Sequence, residues 1–151
     1  MGVGKSTIGK HVAAKLGLPF YDTDRLVTQQ SQQTIAEIFR NKGESAFRQY
    51  EADALRSLLG AEDIIVALGG GTLHHHNNFE VVKDNFVLVI LDASFAFLKS
   101  RLENRPLRAT ADALYRERRN LFATVKQVVN VEQRSIDEIT SECIQLWKAA
   151  A

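Results

Sequence analysis

Two uninterrupted apolar runs, Ile64-Ile65-Val66-Ala67-Leu68 and Phe86-Val87-Leu88-Val89-Ile90-Leu91, constrain this chain more than any other feature. They are too short for helices, and they lack the polar alternation of a half-solvated strand. That pattern is expected of parallel strands buried on both faces. Parallel neighbours need long crossover connections, and the intervening segments have helical periodicity. Residues 5–16 place Ile8, Val12 and Leu16 on one face and stop at Gly17; residues 24–30 look helical. Thr34-x-x-Glu37 is a capping box before Ile35, Ile38 and Phe39, and Gly43 breaks that helix. Residues 44–59 run through Phe47, Leu55, Leu58 and Leu59 to Gly60. Residues 77–83 form a short helix, Ser94 caps one carrying Phe95, Leu98 and Leu102, and residues 112–126 form another. Ser135-x-x-Glu138 opens the last helix, which packs Ile136, Ile139, Cys143 and Trp147. Short strands at 19–22 and 127–131 complete the alternation. The expected class is α/β, a three-layer α/β/α sandwich on a parallel sheet, in one domain over residues 1–151.

Composition excludes several functions. Among 151 residues, 45% are apolar and 25% charged, with a net charge of +1, so nothing suggests nucleic-acid or membrane partners. Cys143 is the single cysteine, which rules out an internal disulfide and points to a reducing, cytoplasmic setting. No apolar run reaches membrane-spanning length, and no signal peptide opens the chain.

Chemistry enters at the first residues. Gly4-Lys5-Ser6-Thr7 at a helix start is the second half of a phosphate-binding loop, with Gly2 and Val3 leading into it. Backbone N–H groups would surround phosphate oxygens, Lys5 would reach the β- and γ-phosphates, and Ser6 would ligate Mg²⁺. The motif's first glycine and its feeding strand would lie before Met1, so the expectation is that Met1 is not the natural start or that the chain is a fragment.

Asp22 and Asp24 follow the first short strand and, at one-residue spacing, are expected to project to the same side. One carboxylate would help hold Mg²⁺ and the other would position an acceptor hydroxyl and take its proton. The bland alternative is an N-cap (Asp24) and a turn residue (Asp22). Gly69-Gly70-Gly71 directly follows a buried strand, where glycines let backbone N–H groups approach a ligand. Arg48, Arg105 and Arg118 carry forked donors suited to carboxylate or phosphate. The arginine-rich stretch 103–110, with Pro106, reads as a mobile loop. His74-His75-His76 are expected to be exposed loop residues and not a metal site. Tyr21 and Phe20 are packing residues.

Taken in order, these motifs resemble the shikimate kinase family. The matching residues are Gly4-Lys5-Ser6-Thr7, Phe20-Tyr21-Asp22-Thr23-Asp24, Ile35-Ala36-Glu37-Ile38-Phe39, Gly43-Glu44 leading to Phe47-Arg48 and Glu51, Gly69-Gly70-Gly71, and Arg105-Pro106-Leu107. The resemblance covers essentially the whole chain. It implies ATP-dependent phosphorylation of the 3-hydroxyl of shikimate, in aromatic amino-acid (chorismate) biosynthesis, by a cytoplasmic monomer using Mg²⁺. It implies a nucleoside-monophosphate-kinase-like fold with strand order 2-3-1-4-5, whose strand 1 is missing here. Substrate-binding helices would span about 24–60 and a lid about 103–116.

The residue roles below are those the resemblance implies. Asp24 binds shikimate hydroxyls and serves as base, and Asp22 supports Mg²⁺. Arg48 grips the carboxylate, joined by Arg118 or, failing that, Arg119. Gly69, Gly70 and Gly71 contact shikimate through backbone. Lys5 and the lid residue Arg105 meet transferring phosphate. Arg101 and the loop near Arg134 hold adenine, with Gly2, Val3, Gly4, Ser6 and Thr7 around the phosphates. The chain departs from the family in a lid shorter by about half a dozen residues, in Arg108 after Arg-Pro-Leu, and in Asn120 where proline is usual. The alternatives are a related small-molecule kinase, such as one acting on gluconate, and a kinase-like module that binds nucleotide or shikimate without turnover.

Overall fold

A computed structural model describes residues 3–101 and 111–150. Its elements are α1 (Lys5–Leu16), β1 (Phe20–Asp22), α2 (Thr23–Ser31), α3 (Ile35–Arg56), β2 (Ile65–Ala67), a 3₁₀ turn (Thr72–His74), α4 (Asn78–Asn85), β3 (Ile90–Asp92), α5 (Phe95–Arg101), α6 (Ala111–Phe122), β4 (Val128–Asn130) and α7 (Ile136–Ala150). The class is α/β with parallel strands, as expected. The chain groups into two compact units, Val12–Val87 and Met1–His11 with Leu88–Ala151.

In the first unit β1 pairs with β2 in parallel, Phe20 opposite Ile65 and Asp22 opposite Ala67. The crossover between them supplies α2 and α3. Val27, Ile38, Phe47 and Ala54 form the core there, with Leu26, Ile35, Phe39 and Tyr50 packed against them. The Phe39 and Phe47 rings meet at 4.7 Å. In the second unit β3 pairs with β4 in parallel, Ile90 opposite Val128 and Asp92 opposite Asn130. Val129, Val131, Ile139 and Cys143 are buried there. The described strands thus form two separate parallel pairs, β1–β2 and β3–β4.

The strands are shorter and more exposed than their apolar runs suggest. Val87 and Val128 are exposed, and β1 has no fully buried residue. Among the described residues each strand has a single hydrogen-bonded neighbour. Each described strand is three residues long, and none is buried throughout. Ile136, expected to pack, is 44% exposed, and Trp147 is half-buried.

Local signals carried through better. Both capping boxes form: Thr34 N–H donates to Glu37 Oε2 at 2.7 Å, and Ser135 N–H to Glu138 Oε2 at 2.7 Å, each with its reciprocal bond. Ser94 Oγ caps α5 by accepting from Phe97 N–H. Gly17 ends α1 with Leu18 N–H bonded to Ala13 O and Gly17 N–H to Ala14 O, a Schellman closure. Gly43 interrupts α3 at φ 83°, ψ 176°, a conformation that side chains do not tolerate. α3 stops at Arg56 rather than near residue 59, and Leu59 is exposed. Of the three histidines only His76 is exposed; His74 ends the 3₁₀ turn half-buried, as is His75. Among the described residues no helix is long and apolar enough to cross a membrane.

Burial, with Glu142 nearby, pushes the Cys143 thiol up to about 11 from 9.0. The unfolded chain then releases this proton first, so stability falls as pH rises from about 9 to about 11. Urea unfolding of the chain across that window should show the fall, and Cys143→Ala should flatten it.

Candidate active site

The first unit gathers most of the acceptor-side residues around one glycine. β1 ends at Asp22, whose Oδ1 accepts from Asp24 N–H at 3.0 Å and caps α2. Asp22, not Asp24, is therefore the N-cap. Asp24 lies in the first turn of α2 and not on the strand, so the two-residue strand period does not govern where it points. Between them Thr23 is fully buried, and its Oγ1 accepts from Gly69 N–H at 2.8 Å. That bond ties the end of β1 to the loop after β2.

Gly69 is needed for close approach. A Cβ there would stand 2.7 Å from Asp24 Oδ1, 2.9 Å from Glu51 Oε1 and 2.9 Å from Thr72 Oγ1. At Gly71 it would meet Arg48 Nη1 at 2.6 Å, Nη2 at 3.0 Å and Cζ at 3.1 Å. These two glycines thus admit the protein's own functional groups, and the Gly69 N–H is already committed to Thr23.

Arg48 projects from the second half of α3. Nη1 donates to Glu51 Oε2 at 2.6 Å; Nε and Nη2 donate to Glu44 Oε1 at 3.3 and 3.1 Å. The Phe47 ring lies 5.2 Å from its Cζ. Glu51 is 1% exposed and also accepts from Thr72 Oγ1 at 2.9 Å. Asn78, itself buried, donates to Thr72 O at 2.8 Å. Burial pulls the Arg48 guanidinium down, but hydrogen bonds and charge from Glu51 and then Glu44 outweigh it, so its pKa lies above the ordinary arginine value. The result is a permanently cationic fork against Gly71, two residues along the loop from the glycine that Asp24 approaches.

Sequence reasoning gave Glu51, Thr23, Thr72 and Asn78 no role. For Glu51 a signal existed. It falls among Phe47, Ala54 and Leu55 on the apolar face of α3, where an unpaired carboxylate would be costly. Its partner Arg48 is one turn away. Thr23, Thr72 and Asn78 act through contacts distant along the chain and left no local pattern.

The phosphate-loop half belongs to the second unit. Val3 is buried, Gly4 has φ 92°, and the first helical bond of α1 runs from Ile8 N–H to Gly4 O at 2.9 Å. Lys5, Ser6 and Thr7 thus occupy the first turn, where N–H groups face outward along the helix axis. That turn contains no acidic residue to compete with an anion. In the same unit Arg101 ends α5 with its Cζ 4.7 Å over the Phe97 ring. Arg118 is half-buried on α6. Arg119 is engaged elsewhere: it bonds Tyr115 Oη at 2.8 Å and Asp92 Oδ2 at 3.2 Å. Arg134 Nη1 bonds Glu142 Oε2 at 2.6 Å and Asn130 O at 3.0 Å. Gly2, Arg105, Arg108 and most of the expected lid lie outside the described residues.

The family model described as Shikimate kinase matches residues 1–148. The chain belongs to the shikimate kinase family. It is 34% identical over 151 residues to the shikimate kinase of Sulfurihydrogenibium sp. (strain YO3AOP1), across 95% of this chain and 91% of that protein. The crystal structure of shikimate kinase from Aquifex aeolicus superposes with a TM-score of 0.88 at 27% identity, over 99% of this chain and 93% of that one. A shikimate kinase from Acinetobacter baumannii in complex with shikimate gives 0.86 at 28%, over 99% and 89%. As a shikimate kinase the chain is a phosphotransferase.

The Arg48–Glu51 pair ties this cluster to the core of its unit. Glu51→Ala should lower unfolding free energy by about 1–3 kcal/mol, because it takes one of two carboxylates from the Arg48 guanidinium and leaves the buried Thr72 hydroxyl without its acceptor. Urea denaturation measures the loss.

Proposed function

We propose that the chain phosphorylates the 3-hydroxyl of shikimate with ATP, in aromatic amino-acid biosynthesis, with the following division of labour. The observation that carries it is the glycine loop after β2, which has a carboxylate, Asp24, against Gly69 and a cationic fork, Arg48, against Gly71. Shikimate has a carboxylate and ring hydroxyls, the groups such a pair would recognise.

Arg48 grips the carboxylate in forked fashion, with Arg118 as the second cation. Asp24 orients the hydroxyl and takes its proton as the oxygen attacks phosphorus. Gly70 and Gly71 supply backbone contacts. On the donor side the first turn of α1 surrounds the phosphates, with Gly2, Val3, Gly4 and Thr7 lining them. Lys5 and the lid arginine Arg105 neutralise charge on the group in flight. Arg101 and Arg134 border the adenine. Since Arg134's edge bonds Glu142 and Asn130, it would meet the base with its planar face.

Mg²⁺ fits the hard oxygen donors of Ser6 and Asp22, and kinases hold it through one or two such ligands plus phosphate and water. Bound there, it would offset phosphate charge. Asp22 would serve it while also capping α2, since a carboxylate has lone pairs for both. A monomer in a reducing cytoplasm accords with this reading and with the single cysteine of the sequence.

ADP release coupled to shikimate addition tests the proposal, with gluconate as control acceptor. Turnover on gluconate and none on shikimate would refute it. Asp24→Asn should cut kcat by about 100-fold or more while nucleotide affinity persists; unchanged turnover would remove Asp24 as the base. Arg48→Ala should raise the KM for shikimate by about 10- to 100-fold, the worth of a charge-assisted hydrogen bond. Titration calorimetry with shikimate checks the same change directly.

A further inference from the structure

Arg48 faces two carboxylates of opposite character. Glu51 is 1% exposed, bonded at 2.6 Å and held by Thr72; its removal would leave buried charge. Glu44 is 61% exposed, and a single oxygen serves both Nε and Nη2 at 3.3 and 3.1 Å. Such an i, i+4 pair at the surface costs little to open. Gly71 lies against Cζ, Nη1 and Nη2, and Glu51 takes Nη1. The Nε–Nη2 edge is therefore the side through which a ligand carboxylate can make two parallel bonds, and Glu44 sits on that edge.

We infer that Glu44 is a built-in stand-in for the substrate carboxylate, occupying the Arg48 fork until shikimate displaces it. This rests on the reading of Arg48 as the carboxylate grip. With both glutamates bound, the group carries excess negative charge, which opposes an incoming anion. A substrate carboxylate puts one oxygen on each N–H, a better fork than the single oxygen of Glu44. Glu44 then swings into solvent at small cost, while Glu51 stays and keeps the guanidinium aimed. The device keeps the fork ordered when empty and sets shikimate affinity below what Arg48 alone would give.

Titration calorimetry with shikimate and with its neutral methyl ester, on the chain and on Glu44→Gln and Glu44→Ala, tests this. Both variants should bind shikimate roughly two- to five-fold more tightly, the scale of an exposed ion pair, and show a lower KM for shikimate but not for ATP. The ester should show no such gain. Weaker or unchanged shikimate binding in the variants, or an equal gain for the ester, would overturn the inference. Arg48→Ala separates the layers: if it binds shikimate as tightly as the parent chain, the grip reading fails and this inference with it. If Arg48→Ala weakens binding and the Glu44 variants do not tighten it, only the stand-in role fails.

Discussion

A carboxylate buried in the apolar face of a helix is costly unless it is paired, and Glu51 is paired on two sides. Arg48 supplies the charge and Thr72 supplies a hydrogen bond. That arrangement makes one core position of α3 the anchor of the acceptor site. Through Thr72 it reaches the loop after β2; through Arg48 it reaches the fork that would read a carboxylate. Burying an ion pair rarely adds net stability compared with an apolar pair. Its use here is to hold the cation in one orientation, which an exposed arginine on a flexible stem would not keep.

The glycines after β2 belong to the same arrangement. Gly69 leaves room where Asp24, Glu51 and Thr72 converge, and Gly71 leaves room for the guanidinium of Arg48. Thr23 fastens the loop to the end of β1. Three segments far apart in sequence, 22–24, 48–51 and 69–72, are thereby fixed against one another. This is the preorganisation that recognition and transfer require, because a site assembled only on binding would lose affinity to ordering its side chains.

Some of this was legible in the residues and some was not. Both capping boxes and the closure at Gly17 formed as read, because each depends on residues within one helical turn. The strands were read as longer and more buried, because an apolar run shows what a strand could bury and not which neighbours it has. The aspartates were read in strand period, yet β1 ends between them. Asp22 captures the Asp24 N–H at the start of α2, a competition between strand and cap that spacing alone does not decide. The triple glycine suggests ligand approach, and the structure adds that Asp24, Glu51 and Thr72 also come close at Gly69.

By itself the sequence determined the α/β class, the helix starts and stops, and the residue types the chemistry needs: a phosphate-loop lysine and serine, two aspartates, a fork-bearing arginine and a glycine run. These are local propensities and motif chemistry, carried by neighbours along the chain. Only the tertiary structure decided that Glu51 holds Arg48, that Glu44 occupies its outer edge, that Thr23 binds the glycine loop, and that Arg119 is spent on Asp92 and Tyr115. The physical reason is that desolvation and close approach depend on what is brought near in space. Whether a carboxylate is a surface charge or the anchor of a site is set by how much water the fold removes from around it.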